Sequence, residues 1–475
     1  MPTVTINGRT VEVERGTNLI EAAAQVGVQI PHYCYHPRLS IVGQCRMCLV
    51  AVEGMPKLQA GCSTQVTKDG MVVSTETPEV AEAQRGMMEF FLINHPLDCP
   101  ICDQSGECGL QDYAFKHGQA FSRFGYEDKR TYPGRERIPL GPNVLLNMNR
   151  CIQCTRCIRF THEVSQTGEL SFMNRGARTE IGTFPGRPLD NHLSTNVVDV
   201  CPVGALTSTR FRFAERVWYL DKRPSLCTGC DVGCNVTLEH KRGVIRRYKP
   251  RFNPAVNDYW MCDYGRASWE RYHLVPRLAA PRRREHGEPA PVSWSRALDE
   301  LAARLQAADG GRTAIVASGN LTTEEAWVLA RLAGAAGIER LTQPLTSGPA
   351  WSIPNTKGGI VGGETVPNRR GVELAGIPAE DGGLAWGEGA EGLDLLIVAD
   401  SDVPAAHDEA AVARFRQAGY LVVLGWADTP LAAAADLVLP TAHHAEKEGT
   451  FVNVEHRLQQ FERAFPAAGQ IRPAV

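Results

Sequence analysis

Cysteine placement constrains this chain more than any other feature. All 15 cysteines lie between Cys34 and Cys262, and every residue after Cys262 is cysteine-free. A disulfide framework needs an oxidising compartment, and an odd total would leave one thiol unpaired. Tight C-x2-C spacing favours metal instead. Soft thiolates select iron-sulfur clusters, zinc or copper(I), so spacing has to decide among them.

Four groups account for every cysteine. The first, Cys34, Cys45, Cys48 and Cys62, is spaced C-x10-C-x2-C-x13-C, a variant of the plant-type ferredoxin pattern. It reads as a [2Fe-2S] site with structural zinc as the rival. Arg46 and Met47 separate two ligands that one tight turn would present to a single iron. The second group is Cys99, Cys102 and Cys108, with His95 four residues upstream. Three thiolates leave a cubane one ligand short; an imidazole suits the vacancy, and Asp98 and Asp103 are competing donors. The third group, Cys151, Cys154 and Cys157, forms C-x2-C-x2-C and is followed by Cys201-Pro202. A run of thiolates three apart covers three corners of a [4Fe-4S] cubane and a remote Cys-Pro the fourth. The fourth group, Cys227, Cys230 and Cys234, is closed by Cys262. Alone it could be a zinc ribbon; after three cluster sites it reads as another [4Fe-4S].

The rest of the chain supplies the scaffold. Residues 3 to 13 predict a hairpin about Asn7-Gly8, followed by a helix that Thr17 can cap, with Leu19, Ile20, Ala23 and Val26 on one face. Hairpin, helix and Cys-rich loop is the order of a β-grasp ferredoxin. A second helix starts at Thr77-Pro78, with Val80, Ala83, Met87 and Phe90 as its apolar stripe. Residues 276 to 291, with several prolines and Arg282-Arg283-Arg284, predict an exposed linker and a solvated charge run. Beyond it, helices at 294 to 307 and 323 to 336 (a Thr322/Glu325 capping box) alternate with strands at 313 to 317, 395 to 399 and 421 to 425. Such alternation predicts a doubly wound α/β domain. His443-His444 reads as loop after Pro440, and the tryptophans as core packing. With 50 basic and 53 acidic residues, charge gives no hint of nucleic acid. No run of about 18 apolar residues and no secretory signal pattern at the start predict a cytoplasmic protein.

Taken together, the four groups resemble the large iron-sulfur subunit family (the G subunit) of bacterial proton-translocating NADH:quinone oxidoreductase, respiratory complex I. The resemblance rests chiefly on Gln44-Cys45-Arg46-Met47-Cys48, on His95 to Cys108, and on Cys201-Pro202-Val203-Gly204-Ala205-Leu206. It implies that His95 completes the second cluster, for one [2Fe-2S] and three [4Fe-4S] in all. It also implies a fourth cluster that only some members keep, off the main electron path.

The C-terminal region is similar to the molybdopterin oxidoreductase superfamily at Tyr272 to Leu278, Ser293 to Leu305 and Glu446 to Phe451. That similarity raises a rival, a formate dehydrogenase large subunit. Such enzymes usually hold molybdenum by a Cys or selenocysteine beyond the cubane site and often place a lysine after its last ligand. Asp263-Tyr264-Gly265-Arg266 supplies neither, so no molybdenum is expected. Iron-only hydrogenases need a second C-x2-C-x2-C run, absent here, and a zinc scaffold leaves Cys201-Pro202 unexplained.

The implied architecture is multidomain α+β and α/β. Its parts are a [2Fe-2S] ferredoxin-like domain at 1–78, a [4Fe-4S] domain with one histidine and three cysteine ligands at 79–140, a ferredoxin-like [4Fe-4S] domain at 141–216, a four-cysteine [4Fe-4S] module at 217–275 and a superfamily α/β domain at 276–475. The implied role is an electron-transfer subunit with no catalytic residue of its own. Its implied partners are the flavin/NADH-binding subunit, a small [2Fe-2S] subunit and cluster-bearing subunits nearer the membrane, on its cytoplasmic face.

Overall fold

A computed structural model describes residues 1–355, 358–400, 402–467 and 469–472. The chain forms two compact units, Met1–Tyr219 and Leu220–Val475.

The first unit begins with the expected hairpin. Strands Thr3–Ile6 and Arg9–Glu12 pair antiparallel, and Asn7 and Gly8 both take positive φ, 48° and 77°, as a type I′ turn requires. Helix Leu19–Gln25 follows, but its cap is Asn18, whose side chain accepts from the Glu21 amide, and not Thr17. Asn18 also donates to the Tyr35 hydroxyl, a partner remote in sequence that decides the choice of cap. A five-stranded sheet completes this domain, with Met71–Ser74 parallel to the first strand. Helix Pro78–Ile93 is capped by Thr77 as expected. Its buried face is Val80, Gln84 and Met88, however, and Phe90 is 72% exposed. The i, i+4 row that packs is thus rotated from the apolar stripe, because the Gln84 amide reaches the Leu49 carbonyl.

In the second unit, strands Asp221–Leu226, Asn235–Lys241 and Val244–Pro250 form an antiparallel sheet. Beyond it lies an eight-stranded sheet. Its parallel strands are, in chain order, Thr313–Val316, Arg340–Pro344, Ala379–Glu380, Leu395–Ala399, Leu421–Gly425 and Leu437–Pro440. Their spatial order is third, second, first, fourth, fifth, sixth. This is a doubly wound sheet whose switch point lies between the first and fourth strands, where α/β folds bind ligands. Alternate residues enter opposite cores: Val316, Val398 and Val423 on one face, Ile315, Ile397 and Val422 on the other. Both faces are therefore buried, as the unbroken apolar strands require.

The expected linker is part of this sheet. Arg282–Glu285 and Glu288–Pro291 form a hairpin, and the first strand pairs antiparallel with Leu437–Pro440. Nor is the arginine run solvated. Arg282 pairs with Asp428 and Arg283 with Glu300, while Arg284 donates to the Ala433 and Ala435 carbonyls. The prolines read as linker punctuation instead suit an edge strand, where they withhold donors from further pairing. Tryptophan use is mixed: Trp260 and Trp426 are buried, Trp218 and Trp327 are exposed. Among the described residues no helix is long and apolar enough to cross a membrane.

Candidate iron-sulfur centres

None of the fifteen cysteines is in a disulfide, and all but Cys99, Cys151 and Cys201 are buried. Cys99 lies in the helical turn Cys99–Ile101 and Cys157 in the short helix Arg156–Arg159.

In the first group the sulfurs associate in two pairs. Cys34 lies against Cys45, with the Gln44 and Cys45 amides beside it, and this pulls Cys34 down and pushes Cys45 up. Cys48 lies against Cys62 in the same way, which raises Cys48 and lowers Cys62. The turn was expected to present Cys45 and Cys48 to one iron. The structure instead pairs each with a distant cysteine, because Arg46 at φ 54° turns the chain between them.

In the second group Cys102 and Cys108 have Cys99 as an electrostatic neighbour. Burial raises both thiols, Cys108 to about 11. Cys108 caps helix Gly109–His117. His95 is half-buried, and desolvation draws it down to about 4; its charged neighbours are Arg150, Asp98 and Lys129. It lines a cavity of about 140 Å³ with Asn94, Met148 and Cys151. The rival carboxylates are engaged elsewhere. Asp98 accepts from Arg150 Nε at 2.9 Å and Asp103 from the Phe213 amide at 3.0 Å.

In the third group Cys151, Cys154, Cys157 and Cys201 line one pocket, enclosed by Leu146, Ile152, Ile181, Val203, Ala205 and Leu206. The cysteine run winds through positive-φ Gln153 and Thr155, a backbone strain that non-glycine residues carry at functional sites. Burial raises all four thiols, Cys201 to about 12.

In the fourth group Cys227 directly follows the strand Asp221–Leu226 and Cys234 directly precedes Asn235–Lys241, held by a Cys227 amide to Cys234 carbonyl bond of 2.8 Å. Cys262 caps the helix Asp263–Ala267. A methyl group added at Gly265 would lie 2.7 Å from Cys227 Sγ and 3.4 Å from Cys262 Sγ, so both sulfurs converge over that glycine. The Gly229 and Gly265 amides donate to Cys227 and Cys262 sulfurs at 3.4 and 3.3 Å. Burial raises all four thiols, Cys227 to about 12.

These donor sets fit metal. A buried thiol keeps its proton until a cation compensates the thiolate, and the amides aimed at the sulfurs are the donors a metal-thiolate group needs. Among the described residues no three or more His, Cys, Asp or Glu side chains are close enough to hold a single ion. A cluster spreads its ligands around a larger body than an ion does.

Spacing did not reveal Arg156, inside the third cysteine run, or Arg159, just beyond it, both of which reach the first group. Arg159 donates to the Cys34 carbonyl at 2.5 Å and the Cys154 carbonyl at 3.3 Å. Arg156 donates to the Tyr35 carbonyl and, at 3.3 Å, to that of Val200. Nor did the sequence show the cleft of about 830 Å³ at the sheet's switch point, lined by Thr228, Tyr264, Asn320, Asp400, Asp402, His443 and His444 among others. His444 is buried in the short helical turn His444–Glu446, which the half-buried His443 caps.

Family models match in the same order. The 2Fe-2S iron-sulfur cluster binding domain matches residues 1–78, the NADH-ubiquinone oxidoreductase-G iron-sulfur binding region 84–123, and the NADH-quinone oxidoreductase subunit 3 ferredoxin-like domain 141–207. The molybdopterin oxidoreductase Fe4S4 domain matches 220–274 and molybdopterin oxidoreductase 383–474. The NADH-quinone oxidoreductase G subunit of Streptomyces coelicolor is 43% identical over 334 residues, 70% of this chain and 39% of that protein. That of Mycobacterium tuberculosis is 42% identical over 338 residues, 70% and 41%. The NADH-ubiquinone oxidoreductase 75 kDa subunit of Reclinomonas americana is 42% identical over 329 residues, 69% and 47%. The match thus spans less than half the length of each of these relatives. A solved NAD+-reducing [NiFe]-hydrogenase chain, 29% identical over 46% of this chain and 91% of its own, reaches a TM-score of 0.40, too low to carry an argument. With these identities over about 70% of its length and the matching domains in sequence, the chain is a homologue of the NADH-quinone oxidoreductase G subunits.

Proposed function

We propose that this chain is an electron-transfer subunit of an NADH:quinone oxidoreductase, relaying electrons from an NADH/flavin module toward quinone in a complex that translocates protons. The observation that carries the reading is the partition of all fifteen cysteines into four groups, of which the third lines a single pocket and the fourth brings Cys227 and Cys262 together over Gly265. The [2Fe-2S] ligands are Cys34, Cys45, Cys48 and Cys62. The [4Fe-4S] ligands are His95, Cys99, Cys102 and Cys108; Cys151, Cys154, Cys157 and Cys201; and Cys227, Cys230, Cys234 and Cys262. The engagement of Asp98 and Asp103 elsewhere supports His95 as the ligand that completes the second set. Bound clusters would supply one-electron redox centres. The chain's own part is to hold the thiolates, exclude water and aim amide donors at sulfur.

The order of stations is first, third, second. The Gln44 side chain donates to the Gln153 carbonyl, and Arg156 and Arg159 join the loops of the first and third groups. On the other side Arg150 of the third group's loop pairs with Asp98, and the Gly109 amide donates to the Pro202 carbonyl at 3.1 Å. The third group is therefore packed against both others.

The division into domains at 1–78, 79–140, 141–216, 217–275 and 276–475 is part of this proposal. Partners are the flavin subunit, a small [2Fe-2S] subunit and cluster-bearing subunits nearer the membrane, at its cytoplasmic face. No observation favours the formate dehydrogenase rival: no cysteine lines the switch-point cleft among the described residues.

Anaerobic expression with iron, acid-labile sulfide and metal quantitation tests the assignment. It predicts about 14 irons per chain, with neither zinc nor molybdenum. One zinc in place of a cluster's iron would remove that group from the relay, and molybdenum with formate oxidation would overturn the function.

A further inference from the structure

Two arginines tie the first cysteine group to the third, and no carboxylate answers their charge. Arg156 and Arg159 lie on the helix Arg156–Arg159, which runs on into the π-turn Phe160–Val164, and at i, i+3 their side chains leave it on one face. Arg159 is buried. A single nitrogen of it, Nη2, donates to the Cys34 carbonyl at 2.5 Å and to the Cys154 carbonyl at 3.3 Å. Its Nη1 donates to the Ser40 carbonyl and its Nε to the Thr155 hydroxyl at 3.2 Å. Arg156 spans the same two groups one residue further out. It donates to the Tyr35 carbonyl, beside Cys34, and at 3.3 Å to that of Val200, beside Cys201.

All of these acceptors are neutral oxygens. Among the described residues no carboxylate pairs with either guanidinium. Glu163, further along the same helical segment, is exposed and takes its hydrogen bonds from the Ser40 amide and hydroxyl. Arg150 shows the contrast, since its buried charge is met by Asp98. Taking a guanidinium out of water without a counter-charge is costly. The anions within reach are the ligand thiolates, because the carbonyl and the sulfur of one cysteine are only a few bonds apart. Both arginines are accordingly electrostatic neighbours of Cys34 and Cys154.

We propose that Arg156 and Arg159 are positioning residues shared by the first and third groups, their fixed charges raising the midpoint potentials of both centres together. The inference rests on reading the two groups as cluster sites. Reduction adds one electron to a centre and with it one negative charge. A fixed cation beside the ligands favours that state and makes the potential less negative. Because each guanidinium bonds both ligand loops, one charge acts on two centres.

The test is an EPR-monitored redox titration of the full chain, loaded anaerobically with iron and sulfide. The first, second and third signals are identified as those lost in Cys48→Ser, Cys108→Ser and Cys157→Ser. Arg159→Gln removes the charge and keeps an amide donor for the carbonyls. Its first and third midpoints should both shift to more negative potential while the second stays. Arg159→Lys, which keeps the charge, should bring both back toward the wild-type values. Arg156→Gln and Arg156→Lys repeat the comparison and decide it if an Arg159 variant fails to load. Unmoved midpoints in the Gln variants, movement of one centre alone, or equal movement in Gln and Lys overturns the proposal. Signals lost in the Gln and Lys variants alike at both positions would make the arginines purely structural and overturn it too. A wild-type chain with no Cys48-dependent or Cys157-dependent signal overturns the cluster assignment itself, and the arginines' role falls with it.

Discussion

Gly204 belongs to the loop that carries Cys201, yet its substitution should dismantle the second centre and spare the third. A Cβ added there would lie 2.1 Å from Cys102 Sγ and 3.1 Å from Gln104 Cβ. Its φ is not among the positive values, so alanine is conformationally allowed and the clash acts alone. Ordinary carbon contacts begin near 3.4 Å, so the sulfur must retreat by more than about 1 Å. Ligand distances tolerate only about 0.2 Å, so a displacement several times larger removes the thiolate from its corner. Overpacking of this kind costs about 1–3 kcal/mol of stability, within what a domain survives. Iron and sulfide quantitation of Gly204→Ala should find about four irons missing per chain. EPR should show one [4Fe-4S] signal lost and the third group's retained. Full iron with an unchanged spectrum would refute the placement of Cys102 against this loop.

Three further substitutions separate the centres. Gly265→Ala puts a methyl 2.7 Å from Cys227 Sγ, and iron analysis with EPR should show loss of the fourth signal alone; retention would contradict convergence of Cys227 and Cys262. His95→Ala should perturb the second [4Fe-4S] signal and leave the rest, an unchanged spectrum removing His95 from the ligands and a changed third signal reassigning it. Arg150→Met strands Asp98, whose partner is only 4% exposed. Loss of that charged hydrogen bond should lower stability by about 2–3 kcal/mol in denaturant titration, and no change would show the pair to be incidental.

Local chemistry was legible in the sequence wherever the deciding partner lay within a few residues. Asn7-Gly8, Thr77-Pro78 and the Thr322/Glu325 box all act within one turn, and each structural element begins where those residues put it. The apolar strands at 313, 395 and 421 could bury nothing unless both sheet faces were covered, which made the doubly wound fold readable. Partners remote in sequence were not readable. Tyr35 decides between Asn18 and Thr17, Asp428 and Glu300 turn an arginine run into a sheet-edge hairpin, and Leu49 rotates the helix that carries Met88. The cysteine groups were legible because ligand sets repeat short spacings. Their pairing was not: Cys45 and Cys48 are close in sequence, but left-handed Arg46 turns them toward Cys34 and Cys62. Arg156 and Arg159 carry no signal at all in a spacing pattern, since only the fold brings the Cys34 and Tyr35 carbonyls to them.

Whether the first, third and second groups are successive stations of one relay is tested most directly by freeze-quench EPR. The full chain is loaded anaerobically, given less than one electron equivalent of reductant, and frozen at successive times. The electron should redistribute among the three signals. In Cys154→Ser, which removes the third centre, exchange between first and second should slow while both signals remain. Redistribution as fast in that variant as in the wild type would contradict the relay.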